Sequence, residues 1–110
     1  MTGIFAGFIS SKVKEEYEKA KLESPQLFTF LERATNDLKK YPFCGIKLPR
    51  NVWPKDYIKK YFINNLWKYD LPNAWRLIYT VSRDEIMIMA VLLEWFDHKS
   101  YEKRFGYRKC

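Results

Sequence analysis

The sequence predicts an α+β fold in which an N-terminal strand and a helical hairpin pack on an antiparallel sheet of about four strands, followed by a short C-terminal helix. Three patterns support this prediction: two helix-period segments near the N-terminus, strand-like alternation over residues 66–81, and a continuous apolar run within residues 85–95. The chain has 110 residues, of which 47% are hydrophobic. This size and composition suit a single domain over residues 1–110 with its own core.

The N-terminal part of the chain predicts one strand and two helices. These elements cover residues 4–9, 11–22 and 25–39. Ser10 or Ser11 can cap the first helix, because a side-chain oxygen satisfies an unpaired amide of the first turn. Ser24 followed by Pro25 is a start signal for the second helix, since proline suits the first helical position. Two helices joined so tightly form a helical hairpin.

The rest of the chain predicts a connector, a three-stranded meander and a last helix. Residues 41–53 contain Pro42, Gly45 and Pro49 and are typical of a loop, and residues 54–62 form either a short helix or irregular turns. The meander strands cover residues 66–71, 75–81 and 85–95, with turns at 70–73 and 82–84. The last helix begins at Asp97 or His98 and ends at Gly106.

Arg76 lies in the middle of a predicted sheet face. Side chains alternate along a strand, so Leu77 and Tyr79 point one way while Arg76 and Ile78 point the other. An unpaired buried charge costs roughly several kcal/mol. Either this face is basic and partly open to solvent or a ligand, which we expect, or Arg76 has a partner inside the fold. The candidate partners are Asp70, Asp84 and Glu94.

The charge of the chain predicts attraction to polyanions. Twenty Lys and Arg against thirteen Asp and Glu give a formal charge of +7, and residues 39–76 hold nine basic residues against two acidic ones. Interleaved cations and aromatic residues suit phosphates and unpaired bases; the alternative is that these lysines are solvated surface. The predicted RNA-binding residues are Lys47, Arg50, Lys55, Lys59, Lys60, Lys68, Lys103 and Arg104.

Several function classes have no support in the sequence. Two cysteines and one histidine form neither a disulfide framework nor a zinc spacing, and a reduced setting is the simplest interpretation. The chain has no glycine-rich phosphate loop, paired-carboxylate signature or nucleophile elbow, so we expect no cofactor and no metal. The apolar N-terminal run stops after Ile9, which suits neither a signal peptide nor a membrane span. We therefore expect a soluble protein of the cytoplasm.

The tail from Asp97 to Arg104 gathers groups that can move protons. A histidine, a phenol and three cations lie within about two helical turns, and spacing of three puts His98 near Tyr101. Such a set can transfer protons at a phosphodiester while its cations stabilise the developing charge. The alternative is an exposed helix whose histidine follows a capping Asp97.

Three segments of the chain resemble the RelE/ParE superfamily of toxins from prokaryotic toxin–antitoxin systems. They are residues 65–71 (NLWKYDL), residues 75–81 (WRLIYTV) and the tail with His-Lys and Tyr. The arginine within WRLIY is the most specific part, and the element order extends the resemblance to nearly the whole chain. The superfamily contains ribosome-dependent messenger-RNA endonucleases, such as RelE, and gyrase inhibitors, such as ParE.

The resemblance to the endonuclease branch implies roles for four residues. Arg76 would hold the scissile phosphate, while His98, Lys99 and Tyr101 would serve proton transfer and base stacking. The implied reaction is attack of a ribose 2′-hydroxyl on the adjacent phosphorus without metal, on the ribosome, in a toxin neutralised by a small acidic antitoxin. The tail is spaced differently from the family pattern, so Tyr107 competes with Tyr101 for the tyrosine position. The alternative function is a non-catalytic gyrase inhibitor or a basic adaptor.

We predict that the connector and the tail, rather than the helical hairpin, bind RNA or heparin. Binding should weaken steeply with added salt because counterions are released. Replacing Lys59 and Lys60 by Glu should reduce the slope of log affinity against log salt. An equal reduction of this slope on replacing Lys14 and Lys19, which lie in the hairpin, would contradict this assignment.

Overall fold

The computed structural model describes residues 3–83 and 87–105. Its strands are β1 (Gly3–Phe8), β2 (Ile46–Lys47), β3 (Trp67–Asp70), β4 (Arg76–Arg83) and β5 (Met87–Phe96). Its helices are α1 (Ser11–Glu23), α2 (Pro25–Lys40), α3 (Lys55–Tyr61) and α4 (His98–Phe105), and 3₁₀ turns occupy Arg50–Val52 and Pro72–Ala74. The predicted α+β architecture is therefore confirmed.

The sheet has the strand order β1-β5-β4-β3-β2. The three pairs from β5 to β2 are antiparallel, whereas β1 runs parallel to β5. Parallel neighbours need a long crossover connection, and the helical hairpin begins that connection. The two-residue β2 lies in the segment predicted as a loop, because its strand geometry comes from pairing with β3 rather than from its own sequence.

One face of the sheet carries the helical hairpin. Leu31, Ala34 and Leu38 of α2 recur at helical spacing and are fully buried. They form one core cluster with Leu77 and Tyr79 of β4, as the alternation predicted. Trp67, Trp75 and Trp95 pack around this cluster.

The opposite face carries a second core cluster and is more buried than the sequence predicted. Its residues come from the connector, α3, the position before β3, β4 and α4: Leu48, Trp53, Tyr57, Leu66, Ile78, Tyr101 and Phe105. The expectation of a partly open face is therefore wrong around Ile78, which has no exposed surface. The short segment 54–62, left open between helix and turns, forms α3, and burial of Tyr57 holds it on the sheet.

Helix starts agree with the predicted caps in two of three cases. The Ser10 hydroxyl accepts a hydrogen bond from the Val13 amide at 3.3 Å, and the Asp97 carboxylate accepts one from the Ser100 amide at 2.8 Å. Ser24 precedes α2 but its side chain makes no capping hydrogen bond. In the described ranges, none of the helices has the length and apolarity needed to cross a membrane.

The predicted turn at residues 82–84 is wrong for its first two residues. Ser82 and Arg83 continue β4 and pair with Met89 and Ile88. Asp84, together with the rest of residues 84–86, lies outside the described residues.

The connector is fixed to the sheet by the hydroxyl of Tyr79. This hydroxyl donates a hydrogen bond to the Pro42 carbonyl at 2.8 Å and accepts one from the Gly45 amide at 3.1 Å. A Cβ atom at Gly45 would lie 2.5 Å from both the Lys68 carbonyl oxygen and the Tyr79 hydroxyl. Glycine is therefore required here by close approach, and the contact places β2 against β3.

We predict that Tyr79→Phe lowers the free energy of unfolding by about 1–3 kcal/mol, because a buried carbonyl and an amide lose their partner. Urea denaturation measures this change. Tyr41→Phe is the matched control, since Tyr41 is exposed, and it should change stability by less than about 0.5 kcal/mol. Equal stability of the two variants would show that the Tyr79 hydroxyl does not hold the connector.

Candidate phosphate-binding site

Pairing of β3 with β4 brings three charged residues to one corner of the sheet. Asp70 lies opposite Arg76, and Lys68 lies opposite Ile78. Side chains two residues apart share a face, so all three charges lie on the α4 side of the sheet. This juxtaposition depends on the strand register, which the β3–β4 turn at Pro72–Ala74 sets.

Tyr101 of α4 forms the floor of this corner. Its ring is 5% exposed and stacks on Phe105 with centroids 4.7 Å apart. The Arg76 guanidinium carbon lies 5.3 Å from the Tyr101 ring centroid, and the Lys68 ammonium nitrogen lies 5.7 Å from it. Cations at this distance are attracted by the electrons of the ring face. The ring therefore positions both cations side by side.

Asp70, one of the three predicted candidates, is an ion-pair partner of Arg76. Its carboxylate oxygen lies 3.3 Å from Arg76 Nε and 3.2 Å from Lys68 Nζ. Asp84 lies outside the described residues, and Glu94 instead accepts a hydrogen bond from Tyr57. The Asp70 side chain is 51% exposed, whereas that of Arg76 is 17% exposed. An ion pair with such an exposed carboxylate contributes about 0–1 kcal/mol, so it can exchange for another anion.

The turn before β4 fixes the guanidinium of Arg76. Arg76 Nη1 donates a hydrogen bond to the Ala74 carbonyl at 2.6 Å. Asn73 and Ala74 both have positive φ angles, 60° and 62°. Such angles cost a non-glycine residue energy and persist where the surroundings hold them. The Arg76 hydrogen bond thus couples the strained turn to the charged corner.

The structure brings together only part of the predicted catalytic set. Arg76 and Tyr101 are in contact, whereas Lys99 is exposed and lies two residues before Tyr101. Two residues correspond to about 200° around a helix, so Lys99 faces away from the Tyr101 side. The backbone of His98 begins α4; its side chain, and all of Tyr107, lie outside the described residues.

The predicted RNA-binding residues divide into three groups. Six are exposed: Lys47, Arg50, Lys55, Lys59, Lys60 and Lys103. Lys68 joins Arg76 in the corner. Arg104 has a structural role, because its Nη2 lies 2.7 Å from an Asp56 oxygen and its Nε lies 3.9 Å from a Glu94 oxygen.

A polar network around Arg104 holds α4 against α3 and β5. The hydrogen bond from Arg104 lowers the pKa of Asp56, and the same contact raises the pKa of Arg104. Burial, followed by the hydrogen bond to Glu94, raises the pKa of the Tyr57 hydroxyl well above its usual range. This network fixes the helix that carries Tyr101.

Sequence reasoning named Asp70 as a candidate partner of Arg76 but missed the association of Lys68 with both residues. The signal that could have found it is the spacing of two in Lys68-Tyr69-Asp70, which puts both charges on one face of a strand adjacent to Arg76. Asp70 thus lies between two cations, Lys68 and Arg76. Among the described residues, no group of three or more His, Cys, Asp and Glu could hold a metal ion.

Comparison of the chain with known proteins gave no match to a protein-family model, a curated protein or a solved structure. Two partly exposed cations held 5–6 Å above one ring can bind an anion with two or more oxygens, such as a phosphate.

We predict that Asp70→Asn strengthens binding of a short RNA oligonucleotide about fivefold at low salt. The carboxylate competes with phosphate for the same cations, and one unit charge at about 4 Å in water is worth about 1 kcal/mol. Fluorescence anisotropy measures the affinity. Glu23→Gln, an exposed change on α1, controls for total charge. An equal gain in both variants would show that Asp70 does not occupy a phosphate position.

Proposed function

We propose that this chain is a RelE-like toxin, a ribosome-dependent messenger-RNA endonuclease that is neutralised by an antitoxin. The observation that supports the proposal best is the pair of cations, Arg76 and Lys68, held side by side over Tyr101 at one corner of the sheet. The resemblance of residues 65–81 to the RelE/ParE superfamily supports the same conclusion, because its most specific residue is Arg76.

In the proposed reaction, a ribose 2′-oxygen forms a bond to the adjacent phosphorus while the bond from phosphorus to the 5′-oxygen breaks. The products are a 2′,3′-cyclic phosphate and a 5′-hydroxyl. The guanidinium of Arg76 can hold two phosphate oxygens at once, and Lys68 adds a second positive charge beside it. Both stabilise the extra negative charge of the transition state. No metal is required for this step.

A proton must leave the 2′-hydroxyl, and another must reach the departing 5′-oxygen. We assign removal of the first proton to the imidazole of His98, as the resemblance implies, and water can supply the second proton to the 5′-oxygen. The burial of Tyr101 under the two cations supports a positioning role for its ring. Lys99, exposed on the outer side of α4, suits contact with phosphates rather than proton transfer. Asp70 is a second candidate base, since its exposed carboxylate lies beside both cations.

The proposed partners are the ribosome with its messenger RNA and a small acidic antitoxin, all in the cytoplasm. The formal charge of +7 and the six exposed RNA-binding cations favour contact with polyanions. A partly disordered acidic protein can neutralise such a surface and order itself upon binding.

One observation favours the alternative of a non-catalytic binding protein, such as a ParE-like gyrase inhibitor or a basic adaptor. Asp70 already neutralises one of the two positive charges in the corner. A protein that only binds needs no proton acceptor, and the cations would then serve recognition. The two functions differ in whether purified protein cuts message on ribosomes.

We predict that Arg76→Ala abolishes ribosome-dependent cleavage while the free energy of unfolding falls by only about 1–2 kcal/mol, because an ion pair with an exposed carboxylate and a cation–π contact are each worth about 1 kcal/mol. Arg76→Lys should keep stability but recover little cleavage, since it cannot hold two oxygens in a fixed plane. His98→Ala should lose part of the activity. Primer extension on translated message and thermal melting measure the two quantities.

Lys14→Ala serves as the control, because Lys14 is an exposed cation on α1 and is not among the predicted RNA-binding residues. It should retain cleavage and stability. A melting temperature many degrees lower for Arg76→Ala, with residual cleavage in proportion to the folded fraction, would contradict a catalytic role for Arg76. It would favour the non-catalytic binding protein. Asp70→Asn separates two roles of the carboxylate: faster cleavage indicates a competitor for phosphate, and tighter binding with slower cleavage indicates a base.

A further inference from the structure

A groove outside the Arg76 corner combines cations with aromatic rings. It consists of a cavity of about 590 Å³ beside residues 80–82 and a neighbouring cavity of about 390 Å³, and both are lined by Lys47 and Asn64. Phe62 lines the larger cavity and Arg50 the smaller one. Volumes of about 300–1,000 Å³ are typical of ligand sites. We call this surface the cation–aromatic groove.

The two cations of the groove are held close to tryptophan rings. Lys47 Nζ lies 5.9 Å from the Trp67 ring centroid, and the Arg50 guanidinium carbon lies 5.2 Å from that of Trp53. Both cations are exposed. None of the described residues that line the two cavities is acidic. The groove therefore presents positive charge that no lining carboxylate neutralises.

Phe62 has a conformation and an exposure that folding does not explain. Its side chain is 87% exposed, although the neighbouring Tyr61 and Ile63 pack against the second core cluster. It ends α3 in the left-handed region with φ 54°, a position where glycine or asparagine is preferred. A strained position occupied by an exposed aromatic ring points to binding rather than to packing.

We propose that the cation–aromatic groove binds an unpaired segment of nucleic acid. Phe62 stacks on a base, Lys47 and Arg50 contact phosphates, and the exposed amide nitrogen of Asn64, whose oxygen accepts a hydrogen bond from Asn65, offers a donor to a base edge. The chemistry that selects this ligand is the combination of a free aromatic face with cations, since every base has a face that can stack.

The groove is separate from the corner but close enough to serve the same strand. None of Lys68, Asp70, Arg76 and Tyr101 lines either cavity. Trp67 in the groove and Asp70 in the corner lie three residues apart on β3, about 10 Å at the usual rise of a strand. Their side chains lie on opposite faces of the sheet, so one bound strand reaches both sites by passing around the sheet. The inference rests on the proposed function in one respect, that the bound segment flanks the scissile phosphate; binding itself does not depend on cleavage.

The test is fluorescence anisotropy with a short 2′-O-methyl uridine oligomer, which cannot be cleaved by 2′-oxygen attack. Phe62→Gly should weaken binding about tenfold or more, since stacking of one base is typically worth that much. Glycine suits the left-handed position, so thermal melting should show no loss of stability. Lys47→Ala and Arg50→Ala should each reduce the slope of log affinity against log salt by about 0.7, which is the value for one phosphate contact to a single strand.

Leu22→Ala is the matched control, because Leu22 is 83% exposed and lies on α1, outside the groove. It should bind like the wild type. Unchanged affinity of Phe62→Gly would overturn the proposal, as would equal affinity of the wild type for a duplex of the same length. Displacement of the oligomer by polyglutamate at equal charge concentration would assign the groove to an acidic protein segment and also overturn it.

The groove and the cleavage proposal fail in different ways. If Phe62→Gly weakens oligomer binding and Arg76→Ala retains ribosome-dependent cleavage, the groove stands and the endonuclease proposal falls. If Phe62→Gly binds normally and Arg76→Ala loses cleavage, the reverse holds. Binding of a deoxyuridine oligomer tests whether the groove recognises the sugar. An affinity equal to that for the 2′-O-methyl oligomer supports recognition by stacking and phosphate contact, and a weaker affinity supports an added contact to the 2′-oxygen.

Discussion

The structure depends on the burial of both faces of β4. Leu77 and Ile78 are neighbours in sequence, point to opposite faces of the sheet and have no exposed surface. Each therefore needs its own cover: the helical hairpin for Leu77, and the connector with α3 and α4 for Ile78. Because both faces of β4 are covered, a charged side chain on this strand must lie at an end of the strand to remain hydrated. That constraint places Arg76 at the corner of the sheet.

Elements far from the corner determine its shape. Arg104 links Asp56 of α3 to Glu94 of β5, and this network holds α4 on the sheet. Since Tyr101 lies one turn before Arg104 on α4, the same network sets the height of the ring under Arg76 and Lys68. The connector is held separately by the Tyr79 hydroxyl, and a hydrogen bond from Tyr69 to Asp37 links β3 to α2. Burial and then that hydrogen bond raise the pKa of Tyr69 to about 12.

Stability and binding place different demands on the two basic surfaces. In the corner, the cations also have structural contacts, so their removal costs both binding and some stability. In the cation–aromatic groove, Phe62 is strained and exposed and contributes little to the core. A residue of this kind can change without unfolding the chain. Phe62 can therefore be replaced with little effect on the fold, whereas the cations of the corner are constrained by packing on Tyr101.

The sequence by itself determined the types of the main elements and the faces of their side chains, because helix and strand periods are local properties of the chain. It predicted the hairpin, the meander, the last helix and the separation of Arg76 from Leu77. Only the tertiary structure decided that Asp70 and Lys68 join Arg76, that α3 and α4 cover Ile78, and that Gly45 meets Tyr79, 34 residues away. These contacts depend on which distant surfaces bury the most apolar area together, and no local pattern records that choice.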